Sequence, residues 1–307
     1  MKFGICGYGN LGKAIEREII AASQDEIVAI FTRRNHVSSQ YQTPVESYSN
    51  APLYAGNIDV MIMCGGSQED LQWQSPDMLK YFDIIDTFDT HSRIKEHGEN
   101  LDKVAKKYNH TAIYSCGWDP GLFSVVRTLL SNVFDSAPYT FWGKGVSQGH
   151  SEALRNIPGI LDAIQFTVPN EEARKQVMLF PGSEIDSNFM HERHCYISLD
   201  GTRTFEEVEN DILNTENYFK DQKVIINQVP LDEIKELKKK MYHEGEVLCS
   251  GEGLEGSFHL KMDDNPTMTA KILLAYAPSL KKLSSGAYSI LDIPTSLIGK
   301  EDNHRFL

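Results

Sequence analysis

The sequence lacks the features that mark secreted, membrane-spanning and nucleic-acid-binding proteins. Its five cysteines are odd in number, scattered and without a C-x-x-C pair, which is typical of reduced thiols in a cytosolic protein. No apolar run approaches the roughly 20 residues that a membrane-spanning helix needs. Acidic residues outnumber basic ones, and the net charge of -13 argues against a nucleic-acid partner, which would require a basic face.

A secretion signal is also missing, because the chain enters a strand at once, without a charged segment followed by an apolar one. We therefore expect a cytoplasmic protein with no membrane or nucleic-acid partner. The 307 residues, 41% of them hydrophobic, are enough for two domains and a sizeable core. The negative net charge still permits a small anionic substrate, since local arginines set the field inside a binding site.

A glycine-rich turn lies between the first predicted strand and a helical pattern over 13–22. In this setting a G-x-G-x-x-G motif indicates a dinucleotide site. Gly7 allows the tight turn, Gly9 lets the backbone approach a pyrophosphate, and Gly12 lets the helix pack on the strand. The helix N-terminus offers free N–H groups to the phosphates. The predicted cofactor residues of this turn are Gly7, Tyr8, Gly9, Asn10, Leu11 and Gly12.

The end of the second predicted strand (27–31) indicates which dinucleotide is bound. An NAD enzyme places Asp or Glu there to hold the ribose 2′-hydroxyl, whereas this chain has Thr32, Arg33 and Arg34. A hydroxyl and two guanidinium groups suit a 2′-phosphate, which Arg binds with two hydrogen bonds. We therefore predict NADP(H), the alternative being two arginines in a solvated loop.

A second glycine motif at 251–256 tests how specific the pattern is. The residues after it alternate as in a strand, and no helix begins there to receive a phosphate. We predict a turn or hairpin loop at this place.

Residues 1–118 alternate between predicted strands and helices, which favours a doubly wound, parallel α/β sheet of the Rossmann type. Ligands of such sheets lie beyond the carboxyl ends of the strands, which adds Cys64, Gly65, Ser67 and Thr87 to the predicted cofactor contacts. Residues 119–265 mix strands and helices and predict a second α+β domain with a mixed sheet, which we expect to serve substrate binding and dimerisation. A final helix is predicted over 267–283, and we expect residues 266–307 to pack back on the first domain.

Two carboxylates follow strands of the predicted first domain, Asp89 after Thr87-Phe88 and Asp119 beside Trp118. A substrate ammonium group needs such partners, since a cation taken out of water must be paired. The alternatives are that Asp119 caps a helix with Pro120 at its first position, and that Asp89 belongs to a turn or is a cap.

Further polar residues lie in the second half of the chain. The segment 142–151 contains too much glycine for a helix, and we interpret it as a loop that approaches a ligand, the alternative being an inter-domain turn. The segment 191–195 has two histidines three residues apart but no H-E-x-x-H motif, so we expect no metal site there. Arg193 is a candidate carboxylate clamp, whereas His243 and Asn265 are unremarkable by sequence.

Together these segments resemble the meso-diaminopimelate dehydrogenases over most of the chain. The resemblance rests on the residues at 7–12 and 32–34 and on Asp-Thr-Phe-Asp (86–89), Gly-Trp-Asp-Pro-Gly (117–121), Phe-Trp-Gly (141–143), Ser-Gln-Gly-His-Ser (147–151), Ile-Pro-Gly (157–159) and Asp-Asn-Pro (264–266). It implies NADP-dependent oxidative deamination of meso-2,6-diaminopimelate at its D-centre. The products would be L-2-amino-6-oxopimelate and ammonia, in lysine biosynthesis, and the enzyme would be a homodimer.

The resemblance also implies roles for individual residues. Asp89 and Asp119 would be catalytic, and Trp142 would lie with them around the reacting D-centre, beside Gln148, His150 and Ser151. Thr167, Arg193, His243 and Asn265 would hold the distant L-centre, and Trp118 would also contact the substrate. Family members can carry another Asp shortly after Asp89, where this chain has Ser92-Arg93.

Two other functions compete with this one. An aldehyde dehydrogenase of the aspartate-semialdehyde type would need a nucleophilic cysteine, for which Cys116 is the candidate. A catalytically silent NADP sensor would need no carboxylates or aromatic residues beside the cofactor.

Overall fold

The computed structural model describes residues 1–239, 242–299 and 301–306. Its strands are β1 (Lys2–Cys6), β2 (Glu26–Thr32), β3 (Val45–Ser47), β4 (Val60–Met63), β5 (Asp83–Asp86), β6 (Thr111–Tyr114), β7 (Tyr139–Trp142), β8 (Gly145–Val146), β9 (Ile160–Pro169), β10 (His191–Leu199), β11 (Lys223–Gln228), β12 (His243–Gly251), β13 (Leu254–Met262) and β14 (Gly286–Ser289). Its α-helices are α1 (Asn10–Ala22), α2 (Leu71–Met78), α3 (Ile94–Tyr108), α4 (Leu122–Val133), α5 (Gln148–Arg155), α6 (Glu171–Leu179), α7 (Phe205–Leu213), α8 (Leu231–Lys238) and α9 (Asn265–Tyr276).

The chain divides into two compact units, Met1–Val125 with Pro266–Leu307 and Val126–Asn265. The division falls within α4, whereas the sequence analysis placed the boundary between 118 and 119. Residues 117–121 stay with the first unit, where Trp118 and Leu122 pack against the apolar cluster of β1. Of the described residues, none forms a helix both long and apolar enough to cross a membrane.

The first unit contains, in its described part, a seven-stranded sheet in the order β14-β6-β5-β4-β1-β2-β3 with every pairing parallel. The predicted doubly wound sheet is therefore confirmed. Strand order reverses beside β1, where β4 lies on one side and β2 on the other, and the loops after these strands leave the same edge of the sheet. That edge is where a doubly wound sheet binds its ligand.

Two apolar clusters cover the two faces of this sheet. Successive side chains of β4 alternate between the two clusters. Val60 and Ile62 pack with residues of α1 and α9, whereas Met61 and Met63 belong to the cluster that contains residues of α3. A strand covered on both faces requires a continuous apolar run, which explains Val-Met-Ile-Met. Because Ala270, Ile272 and Leu273 of α9 belong to the cluster of β1, the carboxyl-terminal segment forms part of the first unit.

The last predicted helix differs from the structure. The α-helix ends at Tyr276, and the chain continues as a 3-10 helix over Ala277–Lys282. Pro278 follows within this turn and has no N–H group for an α-helical hydrogen bond. β14, which pairs with β6 at the sheet edge, was also not predicted from the sequence. Its Gly-Ala-Tyr-Ser sequence lacks the branched apolar residues that indicate a buried strand.

The second unit has two sheets, ordered β11-β10-β9-β8 and β13-β12-β7. Only the β10–β11 pairing among its described strands is parallel, so the predicted mixed sheet is confirmed. β12 and β13 form a hairpin whose turn contains Gly253 in a left-handed conformation (φ 69°). The second glycine motif is therefore a hairpin turn, as predicted.

Candidate functional site

The glycine turn at the end of β1 has the geometry that a dinucleotide requires. Gly7 adopts φ 98°, which L-residues rarely reach, and its N–H donates to the Phe31 carbonyl at 2.8 Å. A Cβ on Gly12 would lie 2.2 Å from the Gly7 oxygen, so only glycine allows α1 to pack this closely. Gly9 caps α1 and has open space within 4 Å of the Cβ position. The turn therefore leaves room for a phosphate in front of the helix N-terminus.

The first turn of α1 favours an anion. It contains no acidic side chain, and Asn10 and Leu11 begin the helix directly after Gly9. The first N–H groups of a helix have no partner within the helix, and the helix dipole places a partial positive charge there. Together with the free space at Gly9, this provides a place for a pyrophosphate.

Thr32, Arg33 and Arg34 lie at the end of β2, next to this turn. The Thr32 hydroxyl accepts the Arg34 backbone N–H at 3.1 Å, and the Arg34 side chain donates to the Tyr8 carbonyl. The Arg33 guanidinium pairs with Asp70 and lies over the Trp73 ring at 5.4 Å. Asp70 and Trp73 come from the segment after β4 and were not predicted from the sequence.

A cavity of 280 Å³ lies at these strand ends and fits the predicted cofactor site. Eight of the predicted cofactor residues line it, namely Gly7, Tyr8, Gly9, Thr32, Arg33, Arg34, Cys64 and Gly65. Gly66, Asp70, Gln74, Tyr48, Phe31 and Cys6 complete the lining. Asn10, Leu11, Gly12, Ser67 and Thr87 do not line this cavity. Ser67 lies beside Asp89 instead, since its hydroxyl accepts the Asp89 backbone N–H at 3.0 Å.

Asp86 holds the two loops that carry the candidate carboxylates. Its carboxylate is fully buried and accepts backbone N–H groups of Phe88 and Ser115, both at 3.1 Å. The Ser75 hydroxyl and His97 Nε2 lie 2.8 Å from its other oxygen. The loop after β5, which contains Asp89, and the loop after β6 are thus fixed to one buried group. The sequence analysis did not identify Asp86 as a functional residue.

Asp119 does not cap a helix with Pro120 at the first position. Residues 117–121 form a turn in which the Gly117 N–H donates to the Pro120 carbonyl at 3.0 Å, and α4 begins only at Leu122. Asp119 is half-buried within this turn, and Trp118 packs edge-on against Phe123, with 5.2 Å between the ring centroids. Asp89 is exposed at the end of β5. Both carboxylates therefore follow neighbouring strands at the edge where the cavity lies.

Cys116 cannot serve as a nucleophile in this environment. Its side chain is fully buried in the apolar cluster, and burial raises the pKa of its thiol well above the usual range. A thiol becomes nucleophilic when it ionises, which a buried apolar position prevents. The structure therefore removes the aldehyde-dehydrogenase alternative, which depended on this residue.

Trp142 ends β7 in the second unit and is held by His191. The backbone N–H of Trp142 donates to His191 Nε2 at 2.9 Å, and the two rings stack with centroids 5.4 Å apart. Burial, and then the charge of Arg193, lowers the pKa of His191 to about 4. The imidazole is therefore neutral near pH 7 and able to accept this hydrogen bond. Trp142 remains 41% exposed, as a ligand contact would require.

The prediction of a loop over 142–151 is wrong from Gln148 onward, where α5 begins. Ser147 caps this helix by accepting the His150 N–H, and the helix-forming residues Glu-Ala-Leu-Arg follow. Gly149 lies in the first turn of the helix rather than in its interior. Gln148 is exposed at the helix start, and His150 Nδ1 lies 2.8 Å from the Ser147 hydroxyl.

Ser151 is buried where α5 packs on β9. Its hydroxyl donates to the Ser147 carbonyl at 2.6 Å and accepts the Gln165 N–H at 2.9 Å. The hydroxyl proton is therefore already used, and one lone pair remains for a ligand. Burial, followed by the charge of Arg193, lowers the pKa of His150 to about 4, so this imidazole is also neutral near pH 7.

Arg193 in β10 has the features of a carboxylate site. Its Nη1 donates to the Thr167 hydroxyl at 3.0 Å and its Nη2 to Gln222 at 3.4 Å, whereas its buried Nε has no partner. In the described part of the chain Arg193 forms no ion pair, and neighbouring Glu192 pairs with Lys223 and His194 instead. Unpaired buried donors are rare, so a group outside the chain is expected to satisfy this one.

His243 lies close to the same place. Thr167 is paired with both Arg193 of β10 and Gly145 of β8, and the His243 backbone lies 3.3 Å from the Cβ position of Gly145. Asn265 begins α9, three residues after the strand partner of His243. The structure thus brings Thr167, Arg193 and His243 together. No group of three or more metal-ligating side chains was found among the described residues.

Comparisons with known proteins agree with this arrangement. Residues 117–263 match the family model of the diaminopimelic acid dehydrogenase C-terminal domain. The meso-diaminopimelate D-dehydrogenase of Ureibacillus thermosphaericus is 39% identical, over 97% of this chain and 95% of the relative.

Two solved structures are also similar. The diaminopimelate dehydrogenase of C. glutamicum in complex with diaminopimelate has a TM-score of 0.87 and 31% identity, covering 100% of this chain and 98% of that one. An engineered D-amino acid dehydrogenase bound to NADP+ has a TM-score of 0.81 and 30% identity at the same coverage.

Proposed function

This chain belongs to the family of the meso-diaminopimelate D-dehydrogenases, and we infer that it catalyses their reaction. It is an NADP-dependent oxidoreductase acting on a CH–NH2 group, which deaminates meso-2,6-diaminopimelate oxidatively at the D-centre. The products are L-2-amino-6-oxopimelate and ammonia, and the reaction is reversible. The observation that carries this function is the Thr32-Arg33-Arg34 cluster beside the glycine turn, in a chain 39% identical to a D-dehydrogenase.

The first unit supplies the coenzyme contacts. The glycine turn and the start of α1 would hold the pyrophosphate, and Arg33 and Arg34 would hold the 2′-phosphate. When bound, the nicotinamide supplies a hydride acceptor for the carbon that carries the amino group. The cavity lined by residues 7–9, 31–34 and 64–66 supports this proposal.

We propose that Asp89 and Asp119 bind the reacting amino group and help to deprotonate it. The amine must be neutral before its carbon can lose a hydride, so a carboxylate or a water next to one has to take a proton. Both side chains lie on loops that Asp86 fixes, since its carboxylate accepts one backbone N–H from each loop. Trp118, which precedes Asp119 in the same turn, would help to exclude water around this amine. We also propose that Trp142, at the end of β7, contacts the substrate, since it is exposed there.

The distant L-centre carries its own carboxylate and ammonium groups, for which the second unit has matching partners. We propose that Arg193 binds the carboxylate, because its buried Nε lacks an acceptor and its other contacts are neutral. Thr167, His243 and Asn265 would complete this subsite. Gln148, His150 and Ser151, at the start of α5, would contact the substrate nearer the reacting centre.

The experiment that tests the proposed function compares stereoisomers and coenzymes. Nicotinamide reduction is monitored at fixed enzyme concentration with meso-, LL- and DD-diaminopimelate, each with NADP+ and with NAD+. We expect turnover with the meso isomer and NADP+ and at most weak turnover with the LL isomer, which has no D-centre. Equal rates with the LL and meso isomers would contradict the proposal.

We also propose that the chain forms a homodimer through the second unit. Leu179, Phe180 and Leu254 are 69%, 62% and 56% exposed, and Leu179 and Leu254 line one groove of 810 Å³ with Pro181. Large exposed apolar groups of this kind mark protein interfaces. Sedimentation velocity should show a dimer that Leu179→Glu weakens, whereas Leu53→Glu on the first unit leaves it intact. A monomeric parent chain would contradict this proposal.

A cytoplasmic location and the lack of a nucleic-acid partner are likewise proposals. They are supported by five free cysteines, by the NADP dependence and by the net charge of -13.

A further inference from the structure

Glu16 lies in α1, one turn after Gly12, and its side chain is completely buried. A buried carboxylate is costly unless it is paired. Among the described residues no cation pairs with Glu16. Its two oxygens instead accept hydrogen bonds from the hydroxyls of Tyr8 and Ser39. A helix whose other buried residues are apolar or small thus contains one carboxylate that bridges the glycine turn and the loop after β2.

These two hydroxyls hold the segment that follows Arg33 and Arg34. The Ser39 hydroxyl accepts the backbone N–H groups of Tyr41 and Thr43, each at 2.9 Å. The Tyr8 hydroxyl accepts the Gln40 N–H at 3.0 Å. Three backbone groups between β2 and β3 therefore depend on hydroxyls that Glu16 orients.

The arrangement requires a carboxylate rather than an amide. A hydroxyl has one proton and two lone pairs, and both lone pairs of the Ser39 oxygen already accept N–H groups. Its proton must therefore go to Glu16, and the Tyr8 proton does the same. The side chain at position 16 therefore has to accept two hydrogen bonds, one at each oxygen. A glutamine at this position would turn an NH2 group towards one of the two donors.

We propose that Glu16 is a positioning residue that fixes the Arg33–Arg34 segment for the 2′-phosphate, and so sets the preference for NADP over NAD. Tyr8 links the two functions, because its hydroxyl binds Glu16 and its carbonyl accepts the Arg34 guanidinium. A segment held in its binding conformation loses less entropy when the ligand arrives. The inference rests on the proposed NADP dependence and concerns the residues that produce it.

The test is calorimetry on the Glu16→Gln variant with two pairs of ligands. Adenosine 2′,5′-bisphosphate is compared with adenosine 5′-monophosphate, and NADP+ with NAD+. We expect the Kd of both 2′-phosphorylated ligands to rise about tenfold, as the loss of one hydrogen bond to a charged group implies. The Kd of the other two should change by less than about twofold, since they have no 2′-phosphate for the arginines to bind. Glu18→Gln is the matched control, because Glu18 lies on the same helix and pairs with Lys271 instead.

Ser39→Ala serves as a second variant that leaves the helix unchanged. Its effect and that of Glu16→Gln should not add, since both act through one contact. Equal losses for ligands with and without a 2′-phosphate would show a merely structural role and overturn the inference, as would no loss at all. If the parent chain shows no preference for NADP+ over NAD+, the proposed coenzyme itself is wrong, which the parent measurement alone reveals.

Discussion

Asp89→Asn and Asp119→Asn are each expected to lower kcat by about 10²–10⁴-fold, the range for loss of an acid–base group. The Kd of NADP+ should change little, because neither Asp lines the coenzyme cavity. The same substitution at both positions should cost less than the product of the single effects, since the two carboxylates would serve one amine.

The physical reason for this expectation is the fixed position of both loops. Asp86 accepts N–H groups from Phe88 and Ser115, which precede Asp89 by one residue and Asp119 by four. A carboxylate held in place does not have to be ordered again in each turnover, so its loss removes catalysis rather than binding. Asn keeps the size of the side chain and removes the negative charge and the basic oxygen.

The measurement is steady-state kinetics with meso-diaminopimelate, together with NADP+ binding by calorimetry. Glu99→Gln is the matched control, since it removes one exposed carboxylate from α3 in the same unit. The variant that lacks the proton acceptor should also lose the acidic limb of the kcat–pH profile. Unchanged turnover in both Asp variants would refute their proposed roles.

The sequence predicted the first unit well where local pattern and tertiary packing agree. Val-Met-Ile-Met is apolar throughout because both faces of β4 are covered, and the glycine turn has one conformation that fits it. β14 could not be predicted in the same way. It is a sheet strand only because β6 offers a free edge to Gly286–Ser289, and the sequence of those four residues carries no such information.

The candidate site was predictable to the extent that its residues follow motifs. Tyr8, Arg33 and Cys64 belong to the ends of predicted strands, and the structure places them around one cavity. Asp70 and Trp73 were not predictable, because their contacts with Arg33 span 37 and 40 positions of the sequence. Glu16 was missed for a related reason. In an amphipathic helix a Glu is normally solvated, and only the tertiary structure shows that this one is buried.

Arg34→Ala is expected to raise the Kd of NADP+ by about 10–100-fold, while the Kd of NAD+ changes by less than about threefold. Charge-assisted hydrogen bonds to a phosphate contribute about 1.5–3 kcal/mol each, and NAD+ has no 2′-phosphate to form them. Arg33→Ala should have a smaller effect, because Asp70 already neutralises part of the Arg33 charge. Arg34 donates to a neutral carbonyl and keeps its full charge for the ligand.

The Asp70→Asn variant distinguishes the contribution of Arg33 to NADP+ binding from that of Arg34. Removal of this carboxylate frees the Arg33 guanidinium and takes a negative charge away from the cavity that it lines, so NADP+ should bind more tightly. Arg17→Ala on α1 is the control, because Arg17 contacts Thr267 and Glu18 rather than the cavity. The affinities are measured at two salt concentrations, since the contribution of Arg34 should decrease as ionic strength rises. If Arg34→Ala raises the Kd of NAD+ as much as the Kd of NADP+, the guanidinium supports the fold of the loop and does not bind the 2′-phosphate.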